Sequence, residues 1–433
     1  MSSIKAKIKG MIPQGVYRVL EPEYHRIIAI AANIRYGFPA RDMHVIGVTG
    51  TNGKTTTSCM IHRMLTDAGY KTALMTTVSY GVGNDITPQQ LHMTTASAPL
   101  LQRRIAEFKK AGVEWLVLET TSHALAQHRT LGVPYEIGVM TNVTHEHLDY
   151  HGTFEHYLRS KLRLFQVAAR HGRAFGVYNA DDDSAERWRH AVPRSLAYGV
   201  RNGELIATNI QMTAQQSTYD VQYREVQYHI TCQIPGEFNV YNSLAAVAVG
   251  IELGLSKEQI EKGIAALESV EGRMNTIDAG QPYAAVIDFA HTPDSFERLL
   301  SDLRQSTKGK LVVMFGSAGR RDETKRAIQG QIAGKYADEV VLTEEDDRDV
   351  DGNEILAQIA EGVKQSGKVK DQNLFLVLDR PSAIQFAVSR VSAADDAVIF
   401  LGKGHEKVIE RADGEHPWDE AQQVRDAITR ASA

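Results

Sequence analysis

Short apolar runs ending in glycine or polar residues recur along this chain and alternate with longer stretches of helical periodicity. Residues 44–48 form such a run, with glycines at 47 and 50, and read as a buried parallel strand. A helix is expected over about 54–68, and further strands over 115–118, 137–140 and 174–178. This exchange of strand and helix predicts an α/β fold with a central doubly wound, mostly parallel sheet. Residues 205–234 alternate polar and apolar positions and predict an added antiparallel portion. An alanine-rich helix is expected over 239–253. A second series begins near Arg273, with strands over 284–288, 311–315, 340–342 and 397–401, and predicts a C-terminal Rossmann-like α/β domain. Ahead of residue 41 only one amphipathic helix is expected, over 21–36, too little for a core of its own. The expected organisation is a short N-terminal segment (1–40), a central domain (41–272) and a C-terminal domain (273–433).

Composition narrows the class. Lys plus Arg number 48 against 53 Asp plus Glu, a formal charge of −5, which argues against a sequence-independent nucleic-acid binder. In 433 residues, 43% hydrophobic and 23% charged content excludes bulk disorder. No run reaches the ~18 apolar residues of a membrane helix. The first residues lack the apolar core and cleavage site of a signal peptide. Cys59 and Cys232 are the only cysteines, so neither a disulfide framework nor a zinc site rests on them alone, and a reducing cytoplasm is expected.

The strongest chemical signal is Gly50-Thr51-Asn52-Gly53-Lys54-Thr55, set between a strand and a helix. Glycines let the backbone turn tightly so that its amides face a phosphate. The helix start and Lys54 add positive charge, and the Thr55 hydroxyl suits Mg²⁺. The general pattern has glycine six residues before the lysine, where this chain has Val48. A nucleoside triphosphate is indicated, but not the reaction. Glu119 follows the strand over 115–118, and His145, His147 and His151 follow the strand over 137–140. A carboxylate and imidazoles beyond parallel strands could hold Mg²⁺ or Mn²⁺ beside the triphosphate, although spacing alone does not separate such a site from zinc.

These segments resemble the Mur ligase superfamily, the ATP-dependent ligases of peptidoglycan precursor synthesis, and most of all its MurE-like members, which add the third amino acid of the stem peptide. The resemblance is carried by GVTGTNGKTTT (47–57), ETTSHALAQHR (119–129), TNVTHEHLDYHGTFEHYLRSK (141–161), GEFNVYNSLAA (236–246), EGRMNTI (271–277), DFAHTPDS (288–295), GSAGRRDETKR (316–326) and GKGHE (402–406), in the family's order. It implies that ATP phosphorylates a carboxylate and that an amino acid's amine displaces the phosphate, with positioning and charge neutralisation as the main catalytic devices.

By the same resemblance, Gly50, Thr51, Asn52, Gly53, Lys54, Thr55 and Thr56 would cradle the phosphates. Thr55, Glu119, His147 and a carbamylated Lys161 would hold two Mg²⁺ ions, with Lys54, Glu119, His147 and Lys161 as the catalytic set. Asn239, Asn242, Arg273, Asp288, His291, Lys325 and Arg326 match residues around the rest of ATP. Thr94, Thr95, Thr121 and Arg129 would hold a muramoyl-peptide-like donor, Thr121 replacing the usual serine. Asp346, Arg348, Gly402 and Glu406 would hold the incoming amino acid.

Three departures stand out. Fewer than fifty residues precede the phosphate loop, so a UDP-sugar donor would be held differently or replaced. Glu345-Asp346-Asp347-Arg348 stands where meso-diaminopimelate-using members carry Asp-Asn-Pro-Arg. Arg348 keeps the guanidinium, while the added acidity suits a basic acceptor such as lysine. Arg320 replaces a common aspartate. A poly-amino-acid or folate-glutamate type of ligase is the alternative. Intact Lys54, Glu119, His147 and Lys161 argue against a non-enzymatic relative.

Overall fold

The structure, a computed structural model, describes residues 14–89, 94–144, 146–213 and 216–431. The chain forms two compact units. The first comprises Met1–Asn209, Tyr219–Ile230 and Tyr241–Ala266, and the second Ile210–Thr218, Thr231–Val240 and Leu267–Ala433.

The first unit is built on β1 (His44–Thr49), β2 (Thr72–Met75), β3 (Ser79–Val82), β4 (Asp85–Pro88), β5 (Trp115–Glu119), β6 (Tyr135–Met140), β7 (Phe175–Asn179) and β8 (Arg194–Gly199). With β9 (Leu205–Met212), β10 (Ser217–Tyr223) and β11 (Val226–Cys232), they form a sheet in the order β11-β10-β9-β8-β7-β6-β1-β5-β2-β3-β4. The run from β2 through β8 is parallel, whereas β3 and β4 fold back antiparallel. The expected antiparallel portion is only partly so, because β9 joins β8 in parallel. Strand β1 lies centrally, buried from Val45 onward. Register places Val48 beside Glu119 and Thr49 beside Met140, so the carboxyl ends of β1, β5 and β6 finish together. Ligands of open α/β sheets bind at such ends.

Small residues bring helices close to this sheet. Gly138 and Gly176 face each other across β6 and β7. A Cβ on either would stand less than 3 Å from the ring of Phe165, which is fully buried. The helix Phe154–Ala168 therefore rests directly on the strands, and this lowers Lys161 toward the end of β1. The N-terminal helix runs from Gln14 to Arg35 through Pro22, starting earlier than its hydrophobic periodicity suggests.

The second unit carries β12 (Asn275–Thr276), β13 (Ala284–Asp288), β14 (Leu311–Phe315), β15 (Glu339–Leu342), β16 (Leu374–Leu376) and β17 (Ala397–Leu401), in the order β12-β13-β17-β14-β15-β16. All pairs are parallel except β12 with β13. A hairpin of β18 (Val408–Arg411) and β19 (Gly414–Pro417) follows. The expected strands are present, and the α/β class with a doubly wound, mostly parallel sheet and a Rossmann-like second sheet is borne out.

Candidate active site

The loop after β1 is held from its neighbours. Thr51 N donates to Asn142 O at 2.8 Å and Asn52 N to Asn142 Oδ1 at 2.9 Å. Thr141 Oγ1 donates to Asn52 O at 2.6 Å. Gly53 caps the helix Lys54–Asp67 at φ +81°, and a Cβ there would sit 2.2 Å from Asn242 Oδ1. Only glycine satisfies both demands. Lys54 Nζ donates to Thr51 O at 2.7 Å, which folds the ammonium back over the loop. Thr56 is buried on the same helix.

Glu119, the last residue of β5, is 1% exposed. Its carboxylate accepts from Thr55 Oγ1 at 3.0 Å, from Thr77 N at 2.8 Å and from Thr77 Oγ1 at 3.0 Å. Hydroxyl and carboxylate oxygens together are a hard donor set, suited to Mg²⁺. Among the described residues no three His, Cys, Asp or Glu side chains gather as a metal cluster. Thr77 was not singled out from sequence, because a lone threonine outside any motif gives no signal.

Lys161 is buried beside this pair. Its Nζ donates to Gly50 O and lies 4.6 Å from the centroid of the Tyr157 ring. Burial holds its pKa well below the ordinary lysine value. Lys54 pushes the same way, and Glu146, Asp182 and Glu119 oppose. A neutral amine is the form able to add to carbon dioxide.

The histidine run divides. His145 lies outside the described residues. His147 is exposed at φ +56°, with its ring 4.6 Å from that of His123. His151 is buried and bonds Ser122 Oγ at 3.1 Å, and burial drives its pKa down to about 3. The expected donor residues form one shelf. Thr95 Oγ1 lies 3.3 Å from Thr121 Oγ1 and 3.1 Å from Thr121 N, and Arg129 Nη1 donates to Thr95 O at 2.5 Å. Half-buried Thr94 precedes them.

In the second unit, Asp288 closes β13 and accepts from Met274 N at 2.8 Å and Ala290 N at 2.7 Å. Burial raises its pKa, which Arg273 and these amides moderate. The Arg273 guanidinium lies 4.8 Å from the Phe289 ring. Lys325 Nζ donates to His291 O at 2.9 Å. Buried Asn239 donates to Pro235 O at 2.8 Å. Arg326, expected near ATP together with Lys325, lies inside the fold. It is 1% exposed, and its terminal nitrogens bond Gln358 Oε1 at 2.6 Å and Ala318 O at 3.1 Å.

The expected amino-acid residues do come together. Fully buried Lys403 donates to Asp346 Oδ1 at 2.8 Å and pairs with Glu406 at 2.7 Å. Gly402, at φ +100°, would place a Cβ 2.8 Å from Glu345 Oε2. Arg348 bonds Glu410 Oε2 at 2.5 Å and Gly319 O at 2.7 Å. Lys403 and Glu410 were missed in sequence. Lys403 was in plain view within GKGHE, but Glu410 lies beyond every motif.

The model of the Mur ligase middle domain matches residues 48–250, and that of the Mur ligase, glutamate ligase domain matches 272–404. A UDP-N-acetylmuramyl-tripeptide synthetase of Roseiflexus sp. is 37% identical, over 97% of this chain and 84% of its own. A UDP-N-acetylmuramoyl-L-alanyl-D-glutamate–2,6-diaminopimelate ligase of Bacillus cereus is 36% identical, over 95% and 83%. A solved structure of a ligase of the latter name superposes with a TM-score of 0.65 at 30% identity, over 91% of this chain and 80% of that one. With identity at this level across most of both partners, the chain belongs to the Mur ligase family, in its MurE-like branch, and is an ATP-dependent acid–amino-acid ligase.

Proposed function

We propose that the protein adds a diamino acid, meso-diaminopimelate or L-lysine, to the free carboxylate of a UDP-MurNAc-dipeptide-like donor through an acyl-phosphate, in cytoplasmic peptidoglycan synthesis. The observation that carries this reading is the buried Glu119 carboxylate bonded to Thr55 of the phosphate loop, with Lys161 against Gly50 of the same loop. In this reading the chain has a reduced donor-binding segment over 1–40, an ATP-binding part over 41–272 and an amino-acid-binding part over 273–433.

The amides of 50–55, with Lys54 and Thr56, receive the phosphates of ATP. Thr55, Glu119, His147 and carbamylated Lys161 would hold two Mg²⁺ ions, which when bound neutralise phosphate charge. Asn239, Asn242, Arg273, Asp288, His291 and Lys325 serve the nucleotide. Thr94, Thr95, Thr121 and Arg129 hold the donor so that its carboxylate meets the terminal phosphate in line. Asp346, Arg348, Gly402 and Glu406 hold the acceptor, whose amine must be neutral to attack.

The test is amide formation coupled to ADP release, with UDP-MurNAc-dipeptide and each candidate amino acid. A tripeptide product with one of the two diamino acids is expected. ATP turnover without any carboxylate donor, or only with folate or poly-amino-acid donors, would overturn the reading.

A further inference from the structure

The loop 344–348 is stitched to the hairpin after β17 by bonds of two kinds. The backbone contributes Arg348 N to Glu410 O at 2.9 Å. Side chains contribute Glu410 N to Asp346 Oδ1 at 2.9 Å and a two-pronged Arg411–Glu344 pair at 2.6 and 2.9 Å. Within this frame Glu410 Oε2 takes Nε of Arg348 at 2.5 Å, while Arg348 Nη1 reaches Gly319 O at 2.7 Å. The Arg348 side chain keeps 23% of its surface exposed.

A guanidinium has five N–H donors and two faces able to grip a carboxylate, the Nε edge and the terminal pair of nitrogens. Here Glu410 occupies the Nε edge, and Gly319 takes one proton of Nη1. Three protons remain, all on the terminal pair. We propose that Glu410 is a positioning residue for the acceptor: by holding the Nε edge it presents the terminal fork of Arg348 to a carboxylate of the incoming amino acid. The proposal rests on the acceptor site of the preceding section. The Glu410 carboxylate also offsets the charge of Arg348, so Arg348 binds by direction more than by net attraction. A freely rotating arginine would instead lose side-chain entropy each time it gripped a substrate.

Steady-state kinetics on the full chain separates positioning from simple support. Glu410→Ala removes the carboxylate but keeps both backbone bonds of residue 410, so the loop retains its frame. The acceptor KM is expected to rise about 10-fold, as for loss of one charge-assisted bond, with kcat and the KM for ATP within about two-fold of the parent. Glu410→Gln, whose amide oxygen still accepts from Nε, should recover most of that loss. In the double variant with Arg348→Ala, removal of Glu410 should add nothing, since the two act as a unit. An acceptor KM unchanged in Glu410→Ala, while Arg348→Ala raises it, would overturn the positioning role and leave the acceptor site standing. Full additivity of the two changes would overturn it as well. An unchanged KM in Arg348→Ala itself would bring down the acceptor site and the proposal together.

Discussion

Lys161 shows how one side chain can be read twice. In sequence it is a lysine in the helical segment LRSKLRL, and nothing local separates it from a solvated surface charge. In the fold it is 2% exposed, over the Tyr157 ring and on the Gly50 carbonyl. An ammonium buried there is costly, and under the proposed function conversion to a carbamate would replace the cation by an anion near Thr55 and Glu119. Lys161→Ala is expected to abolish ligation, with partial return on adding short carboxylic acids. Carbon-13 NMR of the parent equilibrated with labelled bicarbonate at neutral pH should show one carbamate signal, and a fully active parent without it would refute the carbamate. Gly53 is the second position argued atom by atom. Gly53→Ala forces both an unfavourable φ and a clash with Asn242, so ATP affinity should fall about 10-fold or more, because the amides of the turn lose their aim. Nucleotide titration by calorimetry checks this, and unaltered affinity would contradict the cradle.

At the scale of elements, legibility followed periodicity. The strands over 44–48, 284–288, 311–315 and 397–401 were evident because buried parallel strands are continuous apolar runs. The parallel pairing of β9 was not, since alternation reports one solvated face and says nothing of direction. The site divided the same way. The phosphate loop is contiguous in sequence and was readable. Thr77, which bonds Glu119 in the first unit, and Glu410, which bonds Arg348 in the second, come from strands or loops outside every motif, so no spacing announces them. The pair Arg380–Glu420 escaped for the same reason. Both are fully buried and joined by two bonds of 2.6 and 2.9 Å, tying the helix Arg380–Val388 to the helix Glu420–Ala431. Glu420→Ala would strand a buried guanidinium and should cost about 3–5 kcal/mol in urea unfolding. A loss under about 1 kcal/mol would mean that the two helices hold together without the pair.

For the whole molecule, one buried histidine ties stability to pH. His62, 5% exposed on the helix Lys54–Asp67, has its pKa lowered to about 4 by burial. Between that value and the ordinary 6.5, the unfolded chain binds the proton more readily than the native one. The contribution of His62 is therefore complete above pH 6.5, declines by about 1.4 kcal/mol per pH unit as pH falls, and levels off near pH 4. Urea midpoints measured from pH 7.5 downward should drop less steeply in His62→Gln than in the parent. Equal slopes would show that this histidine is not the sensor.

The central claim is that the donor's acid group is activated by phosphoryl transfer from ATP before the amine attacks. It is tested most directly by labelling the donor carboxylate with heavy oxygen and analysing the inorganic phosphate released during ligation. Acyl-phosphate formation predicts one labelled oxygen in each phosphate. Amide product accompanied by wholly unlabelled phosphate would contradict the account.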